Sequence, residues 1–302
     1  MDRLIKDFLE DLGLSGKTRI TVLHYGYCLK NFKTYLEGRS PLDVDKDALR
    51  GFIGYLKAQD KAQKTIENYF SVLSSFYEYL VYEGHASANP VVAVRKRYLK
   101  RYKDNDDGQA RQLISVEDMA RLVNSTLSIR DKAVITLLAK TGIRRHELVE
   151  LDLADVDLIE NKIRLKPTAK RTNRTVFFDD EAAYLLRRWL KVREGVNKKH
   201  LQALFLNAEG ERLNRSGVYN LVVDAARRAG LHNPESDRLE DHFGPHCCRH
   251  WFCTHLFRAG MRREYIKELR GDSRTEAFDL YNHIDLKELK EAYLACIPQL
   301  GV

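Results

Sequence analysis

Apolar positions recur every three to four residues through 20–36, 49–56 and 66–81, the spacing of amphipathic helices. In the last of these, Ile66, Tyr69, Phe70, Leu73, Phe76, Tyr77 and Leu80 form one stripe. The segment 41–47 reads as a turn followed by a helix start. A bundle of about four helices is therefore expected at this end of the chain. Asn89-Pro90 is expected to stop a helix, because the residue before proline is pushed out of the α region. Beyond it the pattern turns mixed. Ser115 opens a start like a capping box, with Asp118 where Glu or Gln is preferred. A buried-looking helix follows over 129–141 and is closed by Gly142. Two short strands are predicted at 162–166 and 175–178, joined by a basic turn over 168–174. A last helix over 286–297 halts at Pro298. The fold class is mainly α with a small β-sheet (α+β).

Composition divides the chain where the pattern changes. A basic run (Arg95, Lys96, Arg97, Lys100, Arg101, Lys103) gives way to Asp104-Asn105-Asp106-Asp107-Gly108, an abrupt shift that reads as a linker. The expected organisation is a helical domain over 1–94, a linker over 95–112 and a second domain over 113–302. That agrees with 302 residues, enough for about two domains. With 44% hydrophobic residues the chain has ample material for packed cores. Its apolar runs are too short to cross a bilayer, and its acidic opening, Met1-Asp2, is unlike a signal peptide. Five cysteines then read as free thiols in a reducing, cytoplasmic setting. A membrane protein, a secreted mini-protein and a fibre are excluded. The net charge of +8 leans towards a polyanionic partner.

Several motifs fail on inspection. Gly16-Lys17-Thr18 resembles the end of a P-loop, but Asp11 stands where its first glycine belongs. The sequons and Arg270-Gly271-Asp272 as an adhesion signal need secretion. His246, His250 and Cys253 would share a helical face and are zinc-ligand types, yet no second cysteine pair exists. Small thiols packing a helix are the better reading of Cys247 and Cys248.

Four patterns remain. Thr141-Gly142-Ile143-Arg144 runs on to Glu147-Leu148 directly after a helix-ending glycine. Lys170 lies in the turn between the short strands. His246 and Arg249, three apart, are neighbours on a helix. Tyr281 stands close before the C-terminal helix. Each alone has an ordinary explanation, such as a surface ion pair or a solvated lysine. Their order and spacing together are specific.

This ordered set resembles the tyrosine recombinase (phage integrase) family, Xer-like members in particular, over nearly the whole chain. Lys64-Thr65-Ile66-Glu67-Asn68-Tyr69, with Tyr77-Glu78-Tyr79-Leu80 ahead of Asn89-Pro90-Val91, is similar to the family's helical SAM-like core-binding domain. The segments 141–148 and 244–256 match its two catalytic boxes. Phe205-Leu206-Asn207 and a basic helix over 216–230 also sit where the family has such elements.

The resemblance implies a site-specific recombinase that cleaves and rejoins DNA through a covalent 3′-phosphotyrosyl intermediate. Arg144 and Arg249 would clamp the non-bridging phosphate oxygens with permanently charged forks. Tyr281 would be the nucleophile, His246 its base, and Lys170 the donor of a proton to the departing 5′ oxygen. Lys166 and Arg171 are rivals of Lys170. Glu147 would orient Arg144 or His246. This scheme uses no metal or nucleotide cofactor. The implied partner is double-stranded DNA, bound by a homodimer on each site and a homotetramer at synapsis, with no membrane. The two domains would clamp the duplex, with Lys64, Thr65, Asn68, Arg95 and Arg97 as DNA contacts.

One position departs from the family. Nine residues before Tyr281 stands Asp272, where a histidine or tryptophan is usual. Arg270-Gly271-Asp272 is similar to archaeal-type members. The carboxylate would hold Lys170, Arg270 or His283, or be protonated in a buried site. It also motivates a rival, a non-catalytic DNA-binding accessory protein of the same fold; a type IB topoisomerase is the other. Leu286, Leu289, Ala292, Tyr293 and Ile297 make an apolar stripe that docks either on its own domain or on a neighbouring protomer.

Overall fold

The first helices of the computed structural model are α1 (Asp2–Leu14), α2 (Arg19–Leu36), α3 (Lys46–Ala58), α4 (Gln63–Tyr82) and α5 (Val91–Tyr98). The structure describes residues 1–99, 112–167, 174–272 and 284–302. They fall into two units, Met1–Asp106 and Asp107–Val302. Thr18 and Asp45 start α2 and α3 because their side chains accept the N–H groups of Thr21 and Ala48. The apolar stripe of α4 is its buried face and meets Phe8, Phe32 and Phe52 of the first three helices. Phe8 lies edge-on to Phe76 at 5.4 Å.

Two expectations change in this unit. Asn89-Pro90 opens a helix instead of stopping one: α4 already ends at Tyr82, and Asn89 Oδ1 accepts the Val91 N–H at 3.0 Å. Proline's fixed φ and missing N–H suit a helix start as well as a helix end. Arg95 and Arg97, expected in a linker, lie in the last turn of α5. Val91 and Val94 bury one face of that helix in the first core, so the helical unit extends past residue 94.

The second unit comprises α6 (Val116–Asn124), α7 (Ile129–Thr141), α8 (Arg145–Glu150), β1 (Val156–Asp157), β2 (Lys162–Leu165) and β3 (Arg174–Phe177). It continues with α9 (Asp180–Val196), α10 (Arg215–Arg228), α11 (Pro245–Arg258), α12 (Arg263–Arg270) and α13 (Leu286–Cys296). The strands form one antiparallel sheet in the order β1-β2-β3, with Ile163 opposite both Val156 and Val176. Helix α7 is the central element. Every residue from Ala133 to Thr141 is buried, and the helix packs on α9 and α11. Among the described residues, no helix is long and apolar enough to cross a membrane.

The stripe on α13 lies on its own unit. Leu289, Tyr293 and Ile297 are buried with Phe177, Phe252 and Leu269, while Leu286 is 52% exposed. A polar clasp fixes the end of the chain. The fully buried Lys140 ammonium donates to Glu181 and to the Pro298 carbonyl, both at 2.6 Å, and pairs with Asp179. Glu181 in turn accepts the Leu300 N–H at 2.8 Å. Tyr293 Oη donates to the Lys140 carbonyl at 2.8 Å, tying α13 to α7.

Candidate active site

Gly142 ends α7 with φ of +60°, a left-handed turn that glycine enters without steric cost. A Cβ there would also fall 2.3 Å from the Phe252 ring, so the turn and α11 can approach only because this residue is glycine. The turn delivers Arg144 to the N-cap of α8. From α11, the buried Arg249 guanidinium donates to the Gly142 carbonyl at 2.6 Å and to the Arg270 carbonyl at 2.7 Å. It therefore staples the ends of α7 and α12. Burial, reinforced by the nearby charge of Arg144, pulls its pKa down to about 10, which leaves it cationic at neutral pH.

Arg144, His246 and Arg249 line one cleft of about 630 Å³, together with Arg145, Arg215 and Tyr219. The Arg144 side chain is 39% exposed. The Arg145 guanidinium lies 5.7 Å from the centre of the Tyr219 ring. His146 shares the cleft; burial, with Arg215 and Arg144 nearby, holds its imidazole below the ordinary 6.5 against the pull of Glu147. A cleft with this concentration of guanidinium groups is suited to an anion with several oxygens.

Glu147, buried on α8, organises the cationic side. It accepts the Arg144 N–H at 2.6 Å and lies 3.3 Å from Arg144 Nη1. Across from it, Arg174 donates both arms of its fork, at 2.8 and 3.0 Å. Burial pushes the Glu147 carboxyl up, but Arg174 and the Arg144 N–H pull harder in the other direction. Its pKa lies below the ordinary 4.5, so it is ionised at neutral pH and is not a proton donor. Asp272 is occupied too: it accepts from Arg270 Nε at 2.8 Å and stands 4.0 Å from Arg249 Nη2. Among the described residues, Arg270 of the expected partners holds this carboxylate, with Arg249 added.

The remaining expected residues distribute as follows. Lys170 and Tyr281, with the rival Arg171 and with His283, lie outside the described residues. Lys166 pairs with Asp152 at 2.6 Å and Asp155 at 3.8 Å. Lys64, Thr65 and Asn68 occupy the start of α4, and Arg95 and Arg97 the end of α5, all in the first unit. Cys247 and Cys248 are buried in the second core. Among the described residues, no three His, Cys, Asp or Glu side chains converge as a metal site.

Arg174 is the residue that sequence reasoning placed wrongly, at the end of a basic turn. It is the first residue of β3 and is buried. The alternation of a strand held the clue: residues 174 and 176 share a face, Val176 belongs to the core, and a charge on that face demands a buried partner.

Residues 107–288 match the phage integrase family, and residues 5–84 match the phage integrase N-terminal SAM-like domain. Tyrosine recombinase XerC of Thermodesulfovibrio yellowstonii is 31% identical, over 96% of this chain and 94% of that protein. Tyrosine recombinase XerD of Staphylococcus epidermidis is 26% identical, over 99% of this chain and all of that one. Among solved structures, a lambda integrase dimer bound to a COC′ core site has a TM-score of 0.71 at 15% identity, covering 95% of this chain and 99% of that one. The Tn1549 transposon integrase in complex with transposon right end DNA has a TM-score of 0.72 at 18% identity, covering 95% and 97%. At such identities the two structures bear on the fold, while the family matches and the XerC relative bear on membership. The chain belongs to the phage integrase family and is a tyrosine site-specific recombinase.

Proposed function

We propose that this recombinase binds double-stranded DNA at defined sites and exchanges strands through a covalent 3′-phosphotyrosyl link to Tyr281. The observation that carries the reading is the meeting of Arg144, Arg249 and His246 at one cleft. A guanidinium has five N–H donors, so Arg249 keeps donors for a phosphate after serving its two carbonyls. The Tyr281 hydroxyl gives its proton to His246, and the phenolate oxygen attacks phosphorus. The bond to the 5′ oxygen breaks as Lys170 protonates it. Rejoining is the same route run backwards, so the bond energy is conserved and no cofactor enters. The pairing of Lys166 with Asp152 and Asp155 favours Lys170 for the acid role.

The pairing of Asp272 with Arg270 and its closeness to Arg249 offset the charge that would otherwise repel a phosphate. That weighs for an active enzyme over a non-catalytic accessory protein, and Asp272 acts by holding the two arginines. The chain binds the duplex as a homodimer at each site and a homotetramer at synapsis, in the cytoplasm. Lys64, 63% exposed, with Thr65, Asn68, Arg95 and Arg97, adds phosphate contacts whose strength falls with salt. The biological role is integration and excision of a mobile element or resolution of replicon dimers. Direct repeats bracketing the gene would assign the first, and an isolated chromosomal gene the second.

The test is a nicked suicide substrate resolved on a denaturing gel. Wild type forms a covalent adduct and Tyr281→Phe forms none; equal adduct from both sinks the assignment. Recombination of two defined sites with little relaxation of unrelated plasmid separates this activity from a type IB topoisomerase.

A further inference from the structure

Arg174 is buried, cationic and without a part in the chemistry above. Its fork is spent on Glu147, at 2.8 and 3.0 Å. That same carboxylate reaches Arg144 through the backbone N–H at 2.6 Å and, more loosely, Nη1 at 3.3 Å. Space for Arg174 has been made on a third element: at Gly271, which closes α12 with φ of +69°, a Cβ would fall 2.1 Å from Arg174 Nη1. The turn that carries Asp272 is thus seated against this guanidinium.

The geometry points to Arg174 as a positioning residue that takes up most of the hydrogen-bonding capacity of Glu147, so that the carboxylate holds the Arg144 guanidinium only loosely and leaves it available to the cleft. A buried carboxylate seeks the nearest cation. With Arg174 absent, the nearest is Arg144 at the N-cap of the same helix, whose Nη1 is already 3.3 Å away. Glu147 would then draw the Arg144 side chain inward, away from the phosphate it is proposed to clamp. The role is one of competition between two arginines for one carboxylate, and it rests on the proposed function of Arg144.

Competition has a signature that loss of packing lacks: removing the carboxylate must repair the defect. Adduct formation is measured on the nicked substrate with the full chain. Arg174→Gln is expected to slow it about 100-fold, the scale of losing one oxyanion donor, with affinity for the site changed less than about threefold because most phosphate contacts remain. Arg174→Lys, which keeps the charge but not the fork, falls between it and wild type. Arg174→Gln combined with Glu147→Gln is expected to exceed the single variant by about tenfold, a non-additive recovery. A double variant no faster than the single one overturns the inference. If Arg174→Gln does not fold, Arg174→Lys replaces it, and adding Glu147→Gln must again give the faster enzyme. Tyr281→Phe, run in parallel, separates the two levels. Adduct from that variant equal to wild type overturns the underlying function. No adduct from it, with no recovery in the double variant, overturns only the role of Arg174.

Discussion

The two units solve the problem of an interior differently. Among the described residues, the N-terminal unit buries Phe8, Phe32, Phe52, Phe70 and Phe76 and no charged side chain. The second unit buries Lys140, Glu147, Arg174, Asp179, Arg193 and Arg249. Desolvated charge costs several kcal/mol per ion unless it is well paired, so a fold has no thermodynamic reason to choose it over hydrocarbon. Here all of these but Arg193 gather in places where direction matters more than cohesion. One set, Lys140 with Asp179 and Glu181, fixes the end of the chain beyond α13. The other, Glu147 with Arg174 and Arg249, fixes the turns around Arg144 and Asp272. Apolar packing fills space from any direction, whereas a guanidinium fork or an ammonium sets an angle.

Both tryptophans, Trp189 and Trp251, lie in the second unit, which lets the comparison be broken one side at a time by fluorescence. The largest effect is expected from Asp179→Ala. It leaves the Lys140 charge under-paired and removes the acceptor that starts α9, so the tryptophan-detected transition should lose about 5 kcal/mol. Phe70→Ala should cost about 4 kcal/mol through the cavity it opens. That loss belongs to amide exchange across α1–α4, with the tryptophan transition left in place. A shift of both reporters would mean that the two units unfold as one body.

Smallest is the effect of Glu147→Gln on acid stability. The Glu147 carboxyl has a folded-state pKa below its ordinary 4.5. Its stabilisation is thus present above pH 4.5 and lost as pH falls through the folded value. The wild-type tryptophan transition should weaken more steeply below about pH 4.5 than that of Glu147→Gln; parallel curves would show that the Glu147 pairs contribute no net stability.

The contrast between the units also explains what the sequence revealed. Periodic burial is local information, so the α4 stripe and the run of α7 up to Gly142 were legible from spacing alone. The Arg144 and Arg249 boxes were legible only through the family resemblance that their order carries. The clasp and the Arg174–Glu147 pair were not, because each joins residues far apart in sequence, 27 positions in the case of Arg174 and Glu147. A basic residue beside a turn looks solvated until the fold supplies its partner. Pro90 misled for a related reason: proline marks both ends of helices, and only the cap supplied by Asn89 shows which end this is.

In the proposed reaction Tyr281 takes the DNA strand onto itself while the cleft of Arg144, His246 and Arg249 holds the phosphate. The most direct measurement is mass spectrometry of the covalent adduct after digestion of both protein and DNA. One modified peptide is expected, carrying a 3′-linked nucleotide on Tyr281. A nucleotide on any other residue, or one joined through its 5′ phosphate, would contradict it.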